Sequence, residues 1–187
     1  IPIIFDTKLQ TILAKSDLED LEKDGYLNYI IFKSGNNYLI ISTTRPELIP
    51  ACVAIFYNPK DKRYKNLKIK KAKVPLFNYE VPILEDFSVD INKGTGLMMV
   101  CTFGDRYDIE KYIKHKLPLR IIIKEDGTLN ELAKEYKGLS VIEARNKILE
   151  DLKKKSLLVK QDKIKHVINV SERSGAEVEF LKSRQWV

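Results

Sequence analysis

The sequence predicts an α+β domain with a mixed, barrel-like β core and peripheral helices. Two observations carry that expectation. Short strand-like apolar runs recur along the chain, at Tyr29 to Phe32, Tyr38 to Ile41, Cys52 to Tyr57, the residues after Gly96, and Leu119 to Lys124. The helix-like stretches between them are irregularly spaced, whereas a doubly wound sheet needs strict alternation. No internal repeat or low-complexity linker divides the 187 residues, so 1-187 reads as a single domain.

Composition narrows the class. Hydrophobic residues make up 44% and charged residues 32%, a balance that fits a folded globular chain and argues against disorder. No apolar run approaches the ~20 residues needed to cross a bilayer as a helix. Ile1-Pro2-Ile3-Ile4-Phe5 lacks the length and basic leader of a signal peptide, and no Met precedes it. A cytoplasmic piece of a longer chain, with no membrane partner, is expected. Cys52 and Cys101 lie far apart inside apolar runs and are expected to be reduced and buried. There is no CxxC, and His115 and His166 are distant from each other, so zinc spacing is absent. The net charge of +7 and pI of about 9.2 fit a polyanionic partner and equally a lysine-rich proteome.

The elements follow in order. Residues 1–15 read as weakly extended. Ser16-Asp17-Leu18-Glu19 has the form of a capping box, and Leu18 and Leu21 form a stripe that Gly25 stops, so a short helix is expected there. The two apolar runs around Ser34-Gly35-Asn36-Asn37 predict a β-hairpin. Its second strand runs into Ser42-Thr43-Thr44-Arg45-Pro46-Glu47, where Pro46 removes a donor and pushes Arg45 out of the α region. The threonines therefore end a strand. Cys52 to Tyr57 is a further strand, closed by Asn58-Pro59. Residues 60–73 carry eight Lys or Arg against one Asp. The alternation Leu67-Lys68-Ile69-Lys70 reads as an edge strand with lysines outward, a solvated protected edge or a phosphate-contacting strip. Val74 to Phe77 and Val81 to Leu84 carry prolines and read as irregular β-structure.

Gly94 to Asp108 is the most informative stretch. A glycine pair opens it, an apolar strand follows, Gly104 ends the strand, and Asp105 and Asp108 stand where a helical pattern running to Lys116 begins. Both carboxylates would lie near one face of the first turn. Pro118 stops that helix, Leu119 to Lys124 reads as a β-branched strand, and Glu125-Asp126-Gly127 as a turn. Leu129 to Tyr136 reads as a short helix. Ser140-Val141-Ile142-Glu143 is a second capping box opening a longer helix, with Val141, Ala144, Ile148 and Leu152 on one side. Lys153-Lys154-Lys155 suits its C-terminal dipole without any ligand. Leu157 to Val159, Ile164 to Val170 and Glu179 to Val187 read as strands.

Three segments together carry a family resemblance: Ser42 to Glu47, Gly94 to Asp108, and Glu172-Arg173-Ser174-Gly175 through Gln185-Trp186-Val187. They resemble the inserted editing domain of the class I aminoacyl-tRNA synthetases for valine, isoleucine and leucine. Val100 to Asp105 and Ser174 to Phe180 with Gln185-Trp186 are most similar to the archaeal kind of the valine branch. The resemblance runs from about residue 25 to the end. It implies the editing-domain fold, with 1-25 and 171-187 as boundary segments toward a catalytic body. It implies hydrolysis of the ester in a mischarged tRNA, Thr-tRNA(Val) for the valine branch. The partners it implies are the aminoacylated 3′ end of tRNA and the rest of a synthetase chain, in a monomer. Editing would need no cofactor; the parent synthetase would use ATP and Mg.

The resemblance also implies roles. Asp108 matches the aspartate that holds the substrate α-ammonium, although a carboxylate there also suits a helix N-terminus. Asp105 matches the carboxylate that reads the threonine side chain, and also suits an N-cap. Thr43 and Thr44 match the threonine-rich loop, where hydroxyls would orient water and bond the ester or terminal adenosine; strand-end threonines also bond local backbone. Arg45 matches a phosphate or substrate contact, and also suits a surface salt bridge with Glu47. Lys68, Lys70 and Lys71, with Lys111 and Lys114 on the helix after the aspartates, are candidate tRNA contacts. The pattern departs from bacterial valine-type sites at Leu48, Met99 and Cys101, where those carry Thr, Lys and Thr, so the contacts reading the threonine hydroxyl differ here. No Ser-His or Cys-His pairing stands in a signature. An isoleucine-type domain acting on Val-tRNA(Ile) and a non-catalytic RNA-binding module are the alternatives. The first is weakened because isoleucine-type domains often carry His where Met99 stands, the second by the joint presence of Thr43, Thr44, Arg45, Asp105 and Asp108.

Overall fold

In a computed structural model, residues 3–6, 11–12, 18–101, 113–171 and 179–181 are described, and side chains over 24–101 and 113–165. Ten strands are present among these residues: β1 (Ile3–Asp6), β2 (Thr11–Ile12), β3 (Leu18–Ser34), β4 (Asn37–Thr43), β5 (Cys52–Tyr57), β6 (Lys71–Lys73), β7 (Glu80–Glu85), β8 (Leu97–Cys101), β9 (Leu158–Ser171) and β10 (Glu179–Leu181). The α-helix α1 (Val141–Lys154) and two 3-10 segments, Pro46–Ala51 and Glu131–Tyr136, join them.

Strands β3 to β8 close into a ring in the order β3-β4-β8-β5-β7-β6 and back to β3. β4–β8 and β5–β7 pair in parallel and the other four seams are antiparallel. This is the mixed barrel the sequence predicts. Two seams are narrow: β4 meets β8 at Ser42↔Met98, and β3 meets β6 at Lys33↔Lys73. β3 is long because it serves two partners. Its earlier part pairs with β9 from Leu18↔Ser171 to Ile30↔Leu158, with a register shift at Tyr29/Ile30, and its later part completes the barrel. β10-β1-β2 form a separate three-stranded sheet.

The barrel interior holds Ile30, Phe32, Ile41, Ile49, Ile55 and Phe77, all at or below 2% exposure. α1 closes the same core with Ala144, Ile148 and Leu152, each fully buried. Its start is the predicted capping box: Ser140 Oγ accepts from Glu143 N at 3.2 Å, and Ser140 N donates to Glu143 Oε1 at 3.1 Å. β5 is buried on both faces, with Ile55 and Tyr57 inward and Val53, Ala54 and Phe56 in a second cluster with Val89, Val100 and Leu117.

Several local expectations need correction. Leu18 onward is strand, not helix: the long antiparallel ladder with β9 outweighs a local cap signal, while Ser16 and Asp17 lie outside the described residues. Leu119 to Lys124 is extended chain with a single bridge, Ile123↔Leu129, since a closed ring offers it no edge. Residues 67–70 lie outside any strand; the strand begins at Lys71 and is not an edge, because β6 is flanked by β7 and β3. Val81 to Leu84 belongs to a regular strand, because Pro82 sits beside the short β6. The two strands expected at 157–159 and 164–170 are one, β9. The helix ahead of Pro118 is seen only at 113–115.

Replacing Ile148 by Ala should cost about 2–5 kcal/mol in chemical denaturation. Ile142→Ala on the exposed side of the same helix should stay within about 0.5 kcal/mol.

Candidate functional site

A pocket of about 440 Å³ opens where β4 ends beside β8. Its walls are Ser42 to Arg45 with Leu48 on one side, Gly96 to Met99 with Cys101 on another, and Ser88, Val89, Asp90 and Lys93 on a third. The threonine loop and the glycine-opened strand, about 50 residues apart in sequence, thus face one cavity.

Glycines build the junction. Gly94 has φ +57°, and a Cβ there would collide with Ser42 Oγ. Gly96 has φ +78°, and a Cβ there would lie 2.6 Å from the paired Asp61 and Arg63 side chains. Only glycine fits both conformation and space. Between them Thr95 Oγ1 donates to Ile40 O at 2.6 Å, and Tyr64 Oη donates to Thr95 O at 2.6 Å. Beneath the turn, hydrogen bonds from Arg63 hold the buried Asp61 carboxyl below the usual range. The glycine signature is therefore a clasp between β4 and β8.

The threonine loop is pinned along its length. Buried Asn28 donates to Thr43 O at 3.0 Å and accepts from Gln161 Nε2 at 2.7 Å. Thr43 Oγ1 accepts from Arg45 N at 3.1 Å, the local backbone bond a strand-end threonine makes. The 3-10 turn that follows starts at Pro46 and has Pro50 inside it. Tyr79 Oη donates to Cys52 O at 2.7 Å and lies 3.2 Å from Pro50 O, and burial pushes that hydroxyl's pKa up. Arg120 stacks 4.0 Å from the Tyr79 ring centroid and donates from Nε to Pro50 O at 2.6 Å.

Glu47 is fully buried. Its Oε2 accepts from Arg45 Nε at 3.1 Å, and Arg145 on α1 adds Nε to Oε1 at 3.0 Å and Nη2 to Oε2 at 2.8 Å. The expected Arg45–Glu47 bridge exists, but its anion lies in the interior and is shared with a second arginine.

The third wall rests on Asp86, 2% exposed. Its Oδ1 accepts from the Ser88 amide at 2.9 Å and from the Ser88 hydroxyl; its Oδ2 meets His115 Nε2 at 2.8 Å and Lys114 Nζ at 3.2 Å. Burial alone would raise this carboxyl, but the bonds from Ser88, His115 and Lys114 outweigh it and hold it well below the usual range. His115 also packs edge-on against Phe56, with centroids 4.6 Å apart.

Thr43, Thr44 and Arg45 line the pocket together, as do the departing residues Leu48, Met99 and Cys101. Cys52 and Cys101 are buried, not joined by a disulfide, and directly opposed across β5 and β8; Cys101 Sγ donates to Leu48 O at 3.3 Å. Asp105, Asp108 and Lys111 lie outside the described residues. Lys68, Lys70 and Lys71 are exposed and away from the pocket, and Lys114 is bound to Asp86. Sequence reading missed Asn28, Asp86, Ser88, Lys93 and Arg145. The Asp86-Phe87-Ser88 spacing carries an Asx-turn signal; Arg145 stands 98 residues from its partner with no local signal. Among the described residues, no group of three or more His, Cys, Asp or Glu is placed to hold a metal ion.

No protein-family model matches the chain. It is 51% identical over 187 residues to the valine–tRNA ligase of Rickettsia typhi, covering 99% of this chain and 23% of that protein. It is 50% identical over 190 residues to the valine–tRNA ligase of the archaeon Pyrococcus horikoshii, covering 99% and 21%. The chain thus spans about a quarter of the length of these relatives. Its fold matches part of a LeuRS from Agrobacterium radiobacter, solved as a ternary complex with tRNA and LeuAMS, with TM-score 0.55 and 16% identity over 78% of this chain and 20% of that one.

Asp86→Asn should lower stability at pH 7 by about 1–3 kcal/mol. Because the native carboxyl titrates below its unfolded value of about 3.9, its contribution is present above that pH and is lost as pH falls further. Denaturation at pH 7 and pH 3 should show the gap between wild type and variant narrowing at pH 3.

Proposed function

Because the chain is homologous to valine–tRNA ligases over 99% of its length and has the synthetase editing-domain fold, we propose that it is the editing domain of such a ligase. In this reading it hydrolyses the ester of mischarged tRNA, with Thr-tRNA(Val) as substrate. The observation that carries it is the convergence of Thr43, Thr44 and Arg45 with β8 on one pocket; Asp105 and Asp108 follow β8 in the sequence.

The need for a second site is physical. Threonine and valine are near isosteres, and a hydrophobic synthetic pocket rejects the added hydroxyl by only about 100-fold. A site that hydrogen-bonds the hydroxyl discriminates better, because valine leaves its polar groups unpaired. Here Leu48, Met99 and Cys101 offer the pocket side chains that suit the substrate methyl, and reading of the hydroxyl falls to Asp105. Asp108 takes the α-ammonium through a charge-assisted bond.

An aminoacyl ester is already reactive, so positioning supplies most of the rate. Thr43 and Thr44 orient the attacking water, and its oxygen adds to the ester carbonyl. The terminal ribose oxygen departs, taking up a proton, and free threonine and tRNA result. The reaction uses no cofactor; ATP and Mg would serve aminoacylation elsewhere in the parent enzyme. Arg45 faces the phosphodiester of the terminal nucleotide, and Lys68, Lys70, Lys71, Lys111 and Lys114 contribute charge toward the tRNA body. The 50% identity to valine–tRNA ligases favours the valine substrate over the isoleucine-type alternative.

In the full synthetase, Asp108→Ala should abolish deacylation of Thr-tRNA(Val), with Val-tRNA(Ile) turned over poorly by wild type. Full activity in the variant contradicts the assignment. Lys68→Glu with Lys70→Glu should weaken tRNA affinity and make the dependence of log affinity on log salt shallower, by about 0.9 for each phosphate no longer neutralised. Unchanged affinity and slope remove these lysines from the interface.

A further inference from the structure

The barrel closes on a pair of like charges. β3 meets β6 at one pair of opposed residues, Lys33 and Lys73. Residues directly opposed in an antiparallel pair share a face, with Cβ atoms about 4.5–5.5 Å apart. Both lysines are exposed, whereas their neighbours Phe32, Ala72 and Val74 are buried, so the shared face is the outside of the barrel. The row runs on in register across four strands: Tyr38 opposes Lys33 from β4, and Glu80 opposes Lys73 from β7. Lys71, the other exposed residue of β6, adds a third ammonium on the same face.

Like charges set directly opposite each other destabilise a sheet, and here nothing in the fold offsets them. Among the described residues, none of Lys33, Lys71, Lys73 and Glu80 is in an ion pair, although Glu80 stands opposite Lys73. Lys33 Nζ instead lies 6.0 Å from the ring centroid of Tyr38, which is 65% exposed. Three ammonium groups against one carboxylate, beside an open phenol, match a phosphodiester backbone. Its oxygens neutralise lysines that repel each other, and a tyrosine hydroxyl donates to phosphate as readily as a lysine does. The row stands apart from the pocket: Tyr38 precedes Ser42 by four residues on β4, about 14 Å at the rise of a strand.

We infer that Tyr38, Lys33, Lys73 and Lys71 form a second contact surface, which holds the phosphate backbone of the tRNA body while the pocket holds the aminoacylated end. This rests on the reading of the chain as part of a tRNA ligase, and not on its hydrolytic activity. The opposed lysines are kept at a cost to the sheet because the ligand needs both.

The test is the affinity of the full synthetase for uncharged tRNA(Val) over a range of salt concentrations, with chemical denaturation of each variant alongside. The variants are Lys33→Gln, Lys73→Gln, the double variant, Tyr38→Ala, and Lys153→Gln at the end of α1 as a control exposed lysine. Each patch lysine removed should weaken binding about 3- to 5-fold and make the slope of log affinity against log salt shallower by about 0.7–0.9. The double variant should show both effects roughly twice over, Tyr38→Ala a weaker affinity with little change of slope, and Lys153→Gln neither. Stability should be unchanged or raised in Lys33→Gln and Lys73→Gln, since either substitution ends the like-charge pair. Wild-type affinity and slope in the double variant overturn the inference. So does a loss of affinity equal to that of Lys153→Gln, or one accompanied by a lowered denaturation midpoint, which would assign these lysines to the fold. A wild-type enzyme that binds tRNA(Val) but does not deacylate Thr-tRNA(Val) sinks the editing reading and leaves this inference to be decided by the slopes. An enzyme that does not bind tRNA(Val) sinks both.

Discussion

The ring of strands closes at Ser42, and that closure governs what lies around it. β4 and β8 are joined in parallel register at a single pair, Ser42↔Met98. So narrow a seam needs support, and the Gly94-Thr95-Gly96 turn provides it. The Gly94 backbone lies against Ser42 where no Cβ fits, and Thr95 bonds the Ile40 carbonyl. Both strands then end or begin at the same level, and their loops diverge around a cavity. The pocket is a consequence of closing the barrel at this point.

Around the seam, fixed charges are arranged in layers. Asp61 is taken by Arg63 below the glycine turn, Asp86 by His115 and Lys114 behind Ser88, and Glu47 by Arg45 and Arg145 behind the threonine loop. Each buried carboxylate is paired and hydrogen-bonded, the condition under which a buried charge is tolerated. Together they fix three walls of one pocket from three directions. A site that works by orienting a water and a substrate needs that rigidity more than it needs a strong base.

Much of this is legible in the sequence. The hairpin at 29–41, the strand at 52–57, the glycine-opened strand and the capping box at Ser140 carry their signals within a few residues, and each forms as read. The threonine loop stands at a strand end because Pro46 cannot continue the ladder. What escapes the sequence is non-local. The cap signal at Ser16 is overruled at Leu18 and beyond by a thirteen-pair ladder to β9, more than 100 residues downstream. The β-branched run at 119–124 stays out of the sheet because the ring is already closed. Arg145 reads as one more charge on an amphipathic helix until α1 docks on the turn that carries Glu47. The two cysteines likewise become neighbours only through the β5–β8 register.

The most direct measurement is a crystal structure of the full synthetase with a non-hydrolysable threonyl-3′-amino analogue of the terminal adenosine. The account predicts the analogue in the pocket between the β4 end and β8. Its linkage should lie against Thr43 and Thr44, its ammonium on Asp108, and its side-chain hydroxyl on Asp105. An analogue bound with those groups out of reach, or absent from this pocket at saturating concentration, would contradict it.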